Sequence, residues 1–274
     1  MKMLRTLKRK AYHAQRYFML YSASRLIPLV LVTEYPRSGG SWLCELLSSS
    51  MDMYFPRHSF QSFKPGIYHG HYLPSGHMRH LRKRFLMVRD GRDVMISTYY
   101  KNLFHQIDGE YTRDVLFYRK LFAFDDFDDI RRNLPEFLET MFTLKIPRSY
   151  RMTWQGSWTS FNEAWLQEHV DAILRYEELR NNTVGVVRGI IDYHFEGRAT
   201  DERISESVER FSFKAKTGRD PGTENNRSQD RKGIIGDHKN HFTREAAEIF
   251  NHYAGHLLKR LGYEKDDSWI DRFS

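Results

Sequence analysis

The sequence holds one cysteine, Cys44. That scarcity excludes a disulfide framework and any cysteine-based zinc site, and it fits a reducing compartment. Acidic residues are missing from the first 33 positions, which carry Lys2, Arg5, Lys8, Arg9, Lys10, Arg16 and Arg25. Nearly all of the formal charge of +8 therefore belongs to an N-terminal arm, residues 1–25, ahead of a near-neutral body. A neutral body argues against a nucleic-acid binder, which spreads cations along its binding face. The arm itself reads as a solvated first helix, a peripheral membrane contact using Leu4, Leu7 and Tyr12, or an organellar presequence. Long hydrophobic runs are absent too. Residues 17–32 are interrupted by Ser22, Ser24, Arg25 and Pro28, which excludes a spanning helix. With no secretory signal pattern either, the expectation is a soluble, cytoplasmic protein.

What is present reads as alternating strands and helices. Residues 26–33 form a short apolar run suited to a strand buried on both faces. A turn-rich loop (34–41) follows, and then helical apolar spacing over 42–50. Residues 85–88 and 172–176 repeat the pattern, leading into helices from Asp93 and over 184–195. Alternation of this kind predicts an α/β fold, a parallel sheet with helices on both faces in three layers, forming one domain over 26–274. The acidic patch Asp125, Asp126, Asp128 and Asp129, set among Phe122, Phe124 and Phe127, lacks a calcium-loop pattern and reads as a solvated turn. Residues 214–232 read as a long polar loop, and 242–262 as a closing amphipathic helix.

Three segments carry anion-binding chemistry. The first is Tyr35-Pro36-Arg37-Ser38-Gly39-Gly40-Ser41-Trp42. Its small residues admit an anion to the backbone N–H groups at a helix start, while Arg37 adds a planar cation. It lacks the Gly-Lys-Ser/Thr of nucleotide triphosphatases. The second is Arg89-Asp90-Gly91-Arg92-Asp93, with Ser97 eight residues after Arg89. The third is Arg231-Lys232-Gly233-Ile234-Ile235-Gly236-Asp237, two cations and two glycines on a loop.

In this order the three segments resemble the cytosolic-type sulfotransferase family. The family's Tyr-Pro-Lys-Ser-Gly-Thr-Thr-Trp-Leu is matched by Tyr35 to Leu43, with Arg37 in place of lysine. Arg89, Arg92, Asp93, Val94 and Ser97 match its second motif, and Arg231 to Thr243 its late one, with His238 in place of tryptophan. Gly156-Ser157-Trp158 and Tyr176-Glu177-Glu178-Leu179 add to a resemblance over about residues 26–263. It implies a P-loop-like sulfotransferase fold and the donor 3′-phosphoadenosine 5′-phosphosulfate (PAPS), released as adenosine 3′,5′-bisphosphate (PAP). Arg37, Ser38, Gly39, Gly40, Ser41 and Trp42 would cradle the 5′-phosphosulfate. Arg89, Ser97, Arg231, Lys232 and Gly233 would hold the 3′-phosphate. Tyr176, Ser212 and Phe213 would lie near the adenosine.

Sulfuryl transfer needs a group to take the acceptor's proton, and histidine suits that task. The family's base lies in a Lys-Thr-His-Leu-Pro segment, matched by His69-Gly70-His71-Tyr72-Leu73-Pro74. His71 is the expected base, His69 its rival, and Arg37 would neutralise the leaving phosphate. A metal site among His58, His69, His71, His77 and His80 is not expected, because no carboxylate falls between Met53 and Val88. The acceptor, a small molecule or carbohydrate, would be lined from the aromatic-rich residues 55–72, 99–121 and 149–165. The alternatives are a P-loop-type phosphotransferase and a non-catalytic nucleotide-binding protein. Lys239, Thr243 and Glu248 match most of the family's dimer motif, but Arg244 replaces an apolar residue there. A monomer and a homodimer both remain open, and Thr243 reads equally as a helix cap.

Overall fold

The computed structural model describes residues 2–57, 62–145 and 156–274. His58 and residues 149–155 of the expected acceptor lining lie outside the described residues, as do the side chains of residues 2–10. In chain order, helix α1 (Lys2–Tyr21) precedes strand β1 (Leu29–Glu34), helix α2 (Gly40–Met51), strands β2 (Gly66–Gly70) and β3 (Lys83–Val88), and helix α3 (Gly91–Leu103). A hairpin, β4 (Gln106–Ile107) and β5 (Glu110–Tyr111), leads to helices α4 (Arg113–Phe122), α5 (Ile130–Thr143) and α6 (Trp158–Leu166). Strand β6 (Ala172–Arg175) runs into α7 (Tyr176–Asn181). Helices α8 (Thr183–Phe195), α9 (Asp201–Arg210), α10 (Phe213–Thr217) and α11 (Arg244–Arg260) follow.

The main sheet is parallel throughout, in the order β2-β1-β3-β6. Every residue of β1 is buried, as its unbroken apolar run predicts. Val30 and Val32 share one core with Leu43, Leu46 and Leu47 of α2, Ile190 and Ile191 of α8 and Ile204 of α9. Leu29 and Leu31 alternate to the opposite face and are equally buried. This is the expected α/β arrangement. The first strand starts later than the run at 26–33 suggests, because Pro28 precedes it and Leu26 is 90% exposed. It extends one residue further, to Glu34. Strand β2 carries no apolar run of its own. Its Gly-Ile-Tyr-His-Gly is too short and mixed to stand out, and pairing with β1 makes it a strand.

Packing divides the chain into two compact units. One comprises the described residues of Met1–Glu34, Ser38–Val88 and Ala164–Ser212, and includes the whole main sheet. The other comprises those of Tyr35–Arg37, Arg89–Glu163 and Phe213–Ser274. In the second unit, Phe142, Trp158, Phe242 and Phe250 build an aromatic core around α11. The polar stretch 214–232 is not wholly a loop, since α10 occupies its start. Thr243 caps α11, its hydroxyl accepting from the Ala246 N–H at 3.2 Å, which is the local role its sequence allows. No helix among the described residues is long and apolar enough to cross a membrane.

Candidate active site

In the first unit the site grows from the end of β1. After Glu34 the chain turns through Ser38 and Gly39 into α2, and Gly39 adopts φ +95°, a conformation glycine accepts without strain. Space demands glycine there too, since a Cβ would stand 2.6 Å from the Tyr176 ring. The Gly40 N–H, in the first turn of α2, donates to Glu34 Oε2 at 2.5 Å. The start of the helix thus already holds one anionic oxygen. Ser38 Oγ is buried, and no described residue hydrogen-bonds it. Trp42 packs edge-on against Tyr176, with ring centroids 6.3 Å apart.

Strand β2 carries His69, and the residue just past its end, His71, to Glu34. A carboxylate only accepts, so His69 Nε2–H donates to Glu34 Oε1 at 2.8 Å. The other nitrogen of His69 lies 3.3 Å from Ser41 Oγ. His71 Nδ1–H donates to the Glu34 backbone carbonyl at 2.9 Å, which leaves its lone pair on Nε2. The two rings meet edge-on at 5.3 Å. Burial pushes the His71 pKa down, His69 adds to the effect, and despite the opposing Glu34 charge it settles at about 4. For Glu34, burial pushes upward. The hydrogen bond from His69, the two imidazoles and the Gly40 N–H outweigh it and hold the carboxyl below its ordinary range.

Behind this cluster stands Arg16 of α1. Its guanidinium donates to Tyr72 Oη at 2.9 Å, Tyr12 Oη at 2.8 Å, the Arg57 carbonyl at 3.1 Å and the His69 carbonyl. Only 5% of it is exposed. The basic arm is therefore not solvated throughout: one of its cations is built into the wall behind the histidines.

The second unit gathers the remaining cations. Arg37, itself at φ +79°, donates from Nε to Ser97 Oγ at 2.8 Å and from Nη2 to the Gln229 carbonyl at 2.6 Å. Arg89 Nη1 reaches the Arg37 carbonyl at 3.2 Å and Nη2 the Asp93 carboxylate at 3.4 Å. Asp93 is buried and accepts from the N–H groups of Gly236 (2.8 Å) and His238 (3.0 Å) and from His238 Nδ1 (2.8 Å), pinning the late loop to α3. Arg231 pairs with Asp237 and Glu224 and lies over the Tyr100 ring at 4.3 Å. Lys232 Nζ joins Asp237 at 2.9 Å. Burial, followed by the Arg37 charge, lowers the nearby Lys101 amine to about 8.

The resemblance put Arg37 and Ser97 at opposite ends of the donor, whereas the structure joins them directly. Arg92, part of the second motif, is a packing residue: 4% exposed, it pairs with Asp90 and Glu264 under Trp269. Gly233 and Phe213 touch, and Ser212 ends the first unit. The sequence placed Arg16 in the basic arm and Asp93 and Asp237 inside the second and third segments without a role for any of them, and left Glu34 out. Glu34 had one signal, as the lone acid closing an apolar strand. The carboxylate whose absence argued against a metal site comes from this strand and not from the histidine segment.

The description "Sulfotransferase domain" matches residues 57–262, most of the chain. The chain belongs to the sulfotransferase family. Its fold is similar to that of mouse sulfotransferase SULT7A1 complexed with PAP, at 17% identity and a TM-score of 0.59, covering 91% of this chain and 94% of that one. A retinol dehydratase in complex with androsterone and inactive cofactor PAP is similar at 16% identity and a TM-score of 0.53, covering 88% and 83%. No curated protein sequence matches the chain.

Proposed function

We propose that this sulfotransferase moves a sulfuryl group from PAPS to a hydroxyl or amine of a small-molecule or carbohydrate acceptor, with His71 as general base. The hydrogen bonding of the two histidines carries the reading. His69 is engaged at both ring nitrogens, while His71 is fixed at Nδ1 and keeps the Nε2 lone pair. Its depressed pKa keeps that lone pair available at neutral pH. As His71 takes the acceptor's proton, the Glu34 carboxylate stabilises the imidazolium that forms.

The residues fit the donor. Ser38 Oγ is a buried hydroxyl with no hydrogen-bond partner among the described residues, beside a helix start that already accepts a carboxylate oxygen. In the first unit, Ser38, Gly39, Gly40, Ser41 and Trp42 would take the phosphosulfate and Tyr176 and Ser212 would flank the adenosine. In the second, Arg89, Ser97, Arg231, Lys232 and Gly233 would hold the 3′-phosphate and Phe213 would flank the adenosine. Arg37 would neutralise the leaving phosphate. When bound, PAPS supplies the activated sulfuryl group; binding, orientation and proton removal fall to the protein. The same reading makes residues 26–274 one cytoplasmic sulfotransferase domain, acting as a monomer or homodimer without nucleic acid.

Calorimetry with PAP and with adenosine 5′-phosphate tests the donor assignment. One charged hydrogen bond contributes about 1.5–3 kcal/mol, so PAP should bind at least about tenfold more tightly. Equal affinities would defeat it. Labelled donor offered to a panel of phenols, sterols, amines and sugars then identifies the acceptor.

A further inference from the structure

We propose that Glu34, His69 and His71 form a binding site for a divalent transition-metal ion of the zinc class, and that an ion held there stops sulfuryl transfer. One carboxylate oxygen and one nitrogen from each ring lie within 4.8 Å of one another, a span that a single ion closes by small side-chain movements. In a tetrahedral site with bonds of about 2.0–2.1 Å, such atoms sit roughly 3.4 Å apart. Two imidazoles and a carboxylate suit zinc, cobalt or iron(II), whereas magnesium and calcium prefer all-oxygen shells.

Outer contacts that orient metal ligands are already in place. His71 Nδ1–H is held by the Glu34 carbonyl at 2.9 Å, His69 Nδ1 faces Ser41 Oγ at 3.3 Å, and Glu34 Oε2 takes the Gly40 N–H. Ligand histidines ordinarily have their second nitrogen fixed in this manner. The direct His69–Glu34 hydrogen bond occupies the centre of the cluster. An ion bound at His69 Nε2 replaces it: the ring proton moves to Nδ1, where Ser41 Oγ accepts it, and Glu34 Oε1 turns to the metal. Arg16, bonded to the His69 carbonyl, opposes a second cation. The site is therefore one of moderate affinity, suited to a regulatory ion.

Coordination engages the Nε2 lone pair of His71. The inhibitory half of the proposal thus rests on His71 being the base, while the binding half does not. The test uses the full chain, freed of metal by dialysis against a chelator. Zn²⁺ affinity is measured by competition with a chromophoric chelator, and Co²⁺ coordination by visible absorption. One equivalent should bind with a tetrahedral cobalt spectrum. Losing even an outer-shell partner costs about 10–100-fold in affinity, so Glu34→Gln and His71→Ala should each weaken binding by at least about tenfold. His77→Ala, in the same histidine-rich stretch, should not. Retained PAP affinity shows that each variant is folded. Zn²⁺ binding that is absent, or unchanged in Glu34→Gln, overturns the site. Stoichiometric binding at Glu34 with undiminished transfer leaves the site standing and removes both the inhibition and His71 as the base.

Discussion

Glu34 holds His71 by its backbone and His69 by its side chain, so one residue at the end of β1 fixes two imidazoles differently. The carbonyl of Glu34 selects the Nδ1–H tautomer of His71, and no side-chain substitution removes that bond. The carboxylate does something separable: it faces both rings with a buried negative charge. Glu34→Gln keeps the shape and removes the charge. Turnover should fall by roughly tenfold or more, while PAP affinity moves little, because stabilisation of an imidazolium matters only as the proton transfers. Single-turnover rates with calorimetric PAP affinities on the same samples check this. Equal losses in both would reduce Glu34 to a structural role.

The low pKa of His71 carries a signed pH effect. Folded, the group titrates near 4 instead of at its ordinary value of 6.5, so the unfolded chain binds the proton more readily. The stability this group contributes is complete above about 6.5 and is lost as pH falls towards 4. Thermal unfolding followed from pH 7 to 4 should show a decline that His71→Gln flattens. The acid limb of turnover should likewise lie below 6. A limb at 6.5, with matching unfolding curves, would place the titration elsewhere.

Strand β1 and the turn after it were legible because each is a local pattern: β1 is an unbroken apolar run, and Ser38-Gly39-Gly40-Ser41 is a run of small residues at a helix start. The rest of the site was not local. Glu34 meets its histidines 35 and 37 positions later in sequence, and nothing in Gly-Ile-Tyr-His-Gly announces a strand that would deliver them. Net charge misled in the same way about Arg16, since six other basic residues of the arm share its sequence character and composition does not show which one is buried.

Arg231 and Lys232 share Asp237 as their counter-ion, which arranges two cations before any anion arrives. Asp237 is held far below the ordinary carboxylate range: burial raises it, but His241, Arg231 and Lys232 outweigh that. Arg231→Ala should weaken PAP binding by at least about tenfold, the loss of one or two charged hydrogen bonds. Adenosine 5′-phosphate, lacking the 3′ group, should bind almost unchanged. If both nucleotides weaken alike, Arg231 acts on the fold of the late loop and not on the 3′-phosphate.

Gly39 faces two obstacles to substitution, φ +95° and the Tyr176 ring. Gly39→Ala meets both, at a cost of about 1–3 kcal/mol from the backbone conformation alone. Denaturant unfolding should register that loss. Relieving the clash alone, with Tyr176→Ala added, should recover only part of it. Full recovery would mean that the ring, and not the backbone, dictates glycine at this position.

Arg16 and Arg25 belong to the same acid-free segment, yet one is 5% exposed with four hydrogen-bond partners and the other is exposed. If the basic arm acted only through bulk charge, neutralising either would have the same effect. The contacts predict otherwise. Arg16→Met removes the hydrogen bonds that Tyr72 Oη and the His69 carbonyl accept from the guanidinium, and a polar group that loses its partner on burial costs about 1–3 kcal/mol. Arg25→Ala should stay within about 0.5 kcal/mol of the parent, as surface changes do. Because the lost partner includes the backbone of His69, one residue short of Gly70 and two short of His71, Arg16→Met should also slow transfer more than it weakens PAP binding. Thermal unfolding and single-turnover kinetics on the two variants, compared at equal net charge, decide whether the arm's function is a placed cation or a diffuse one.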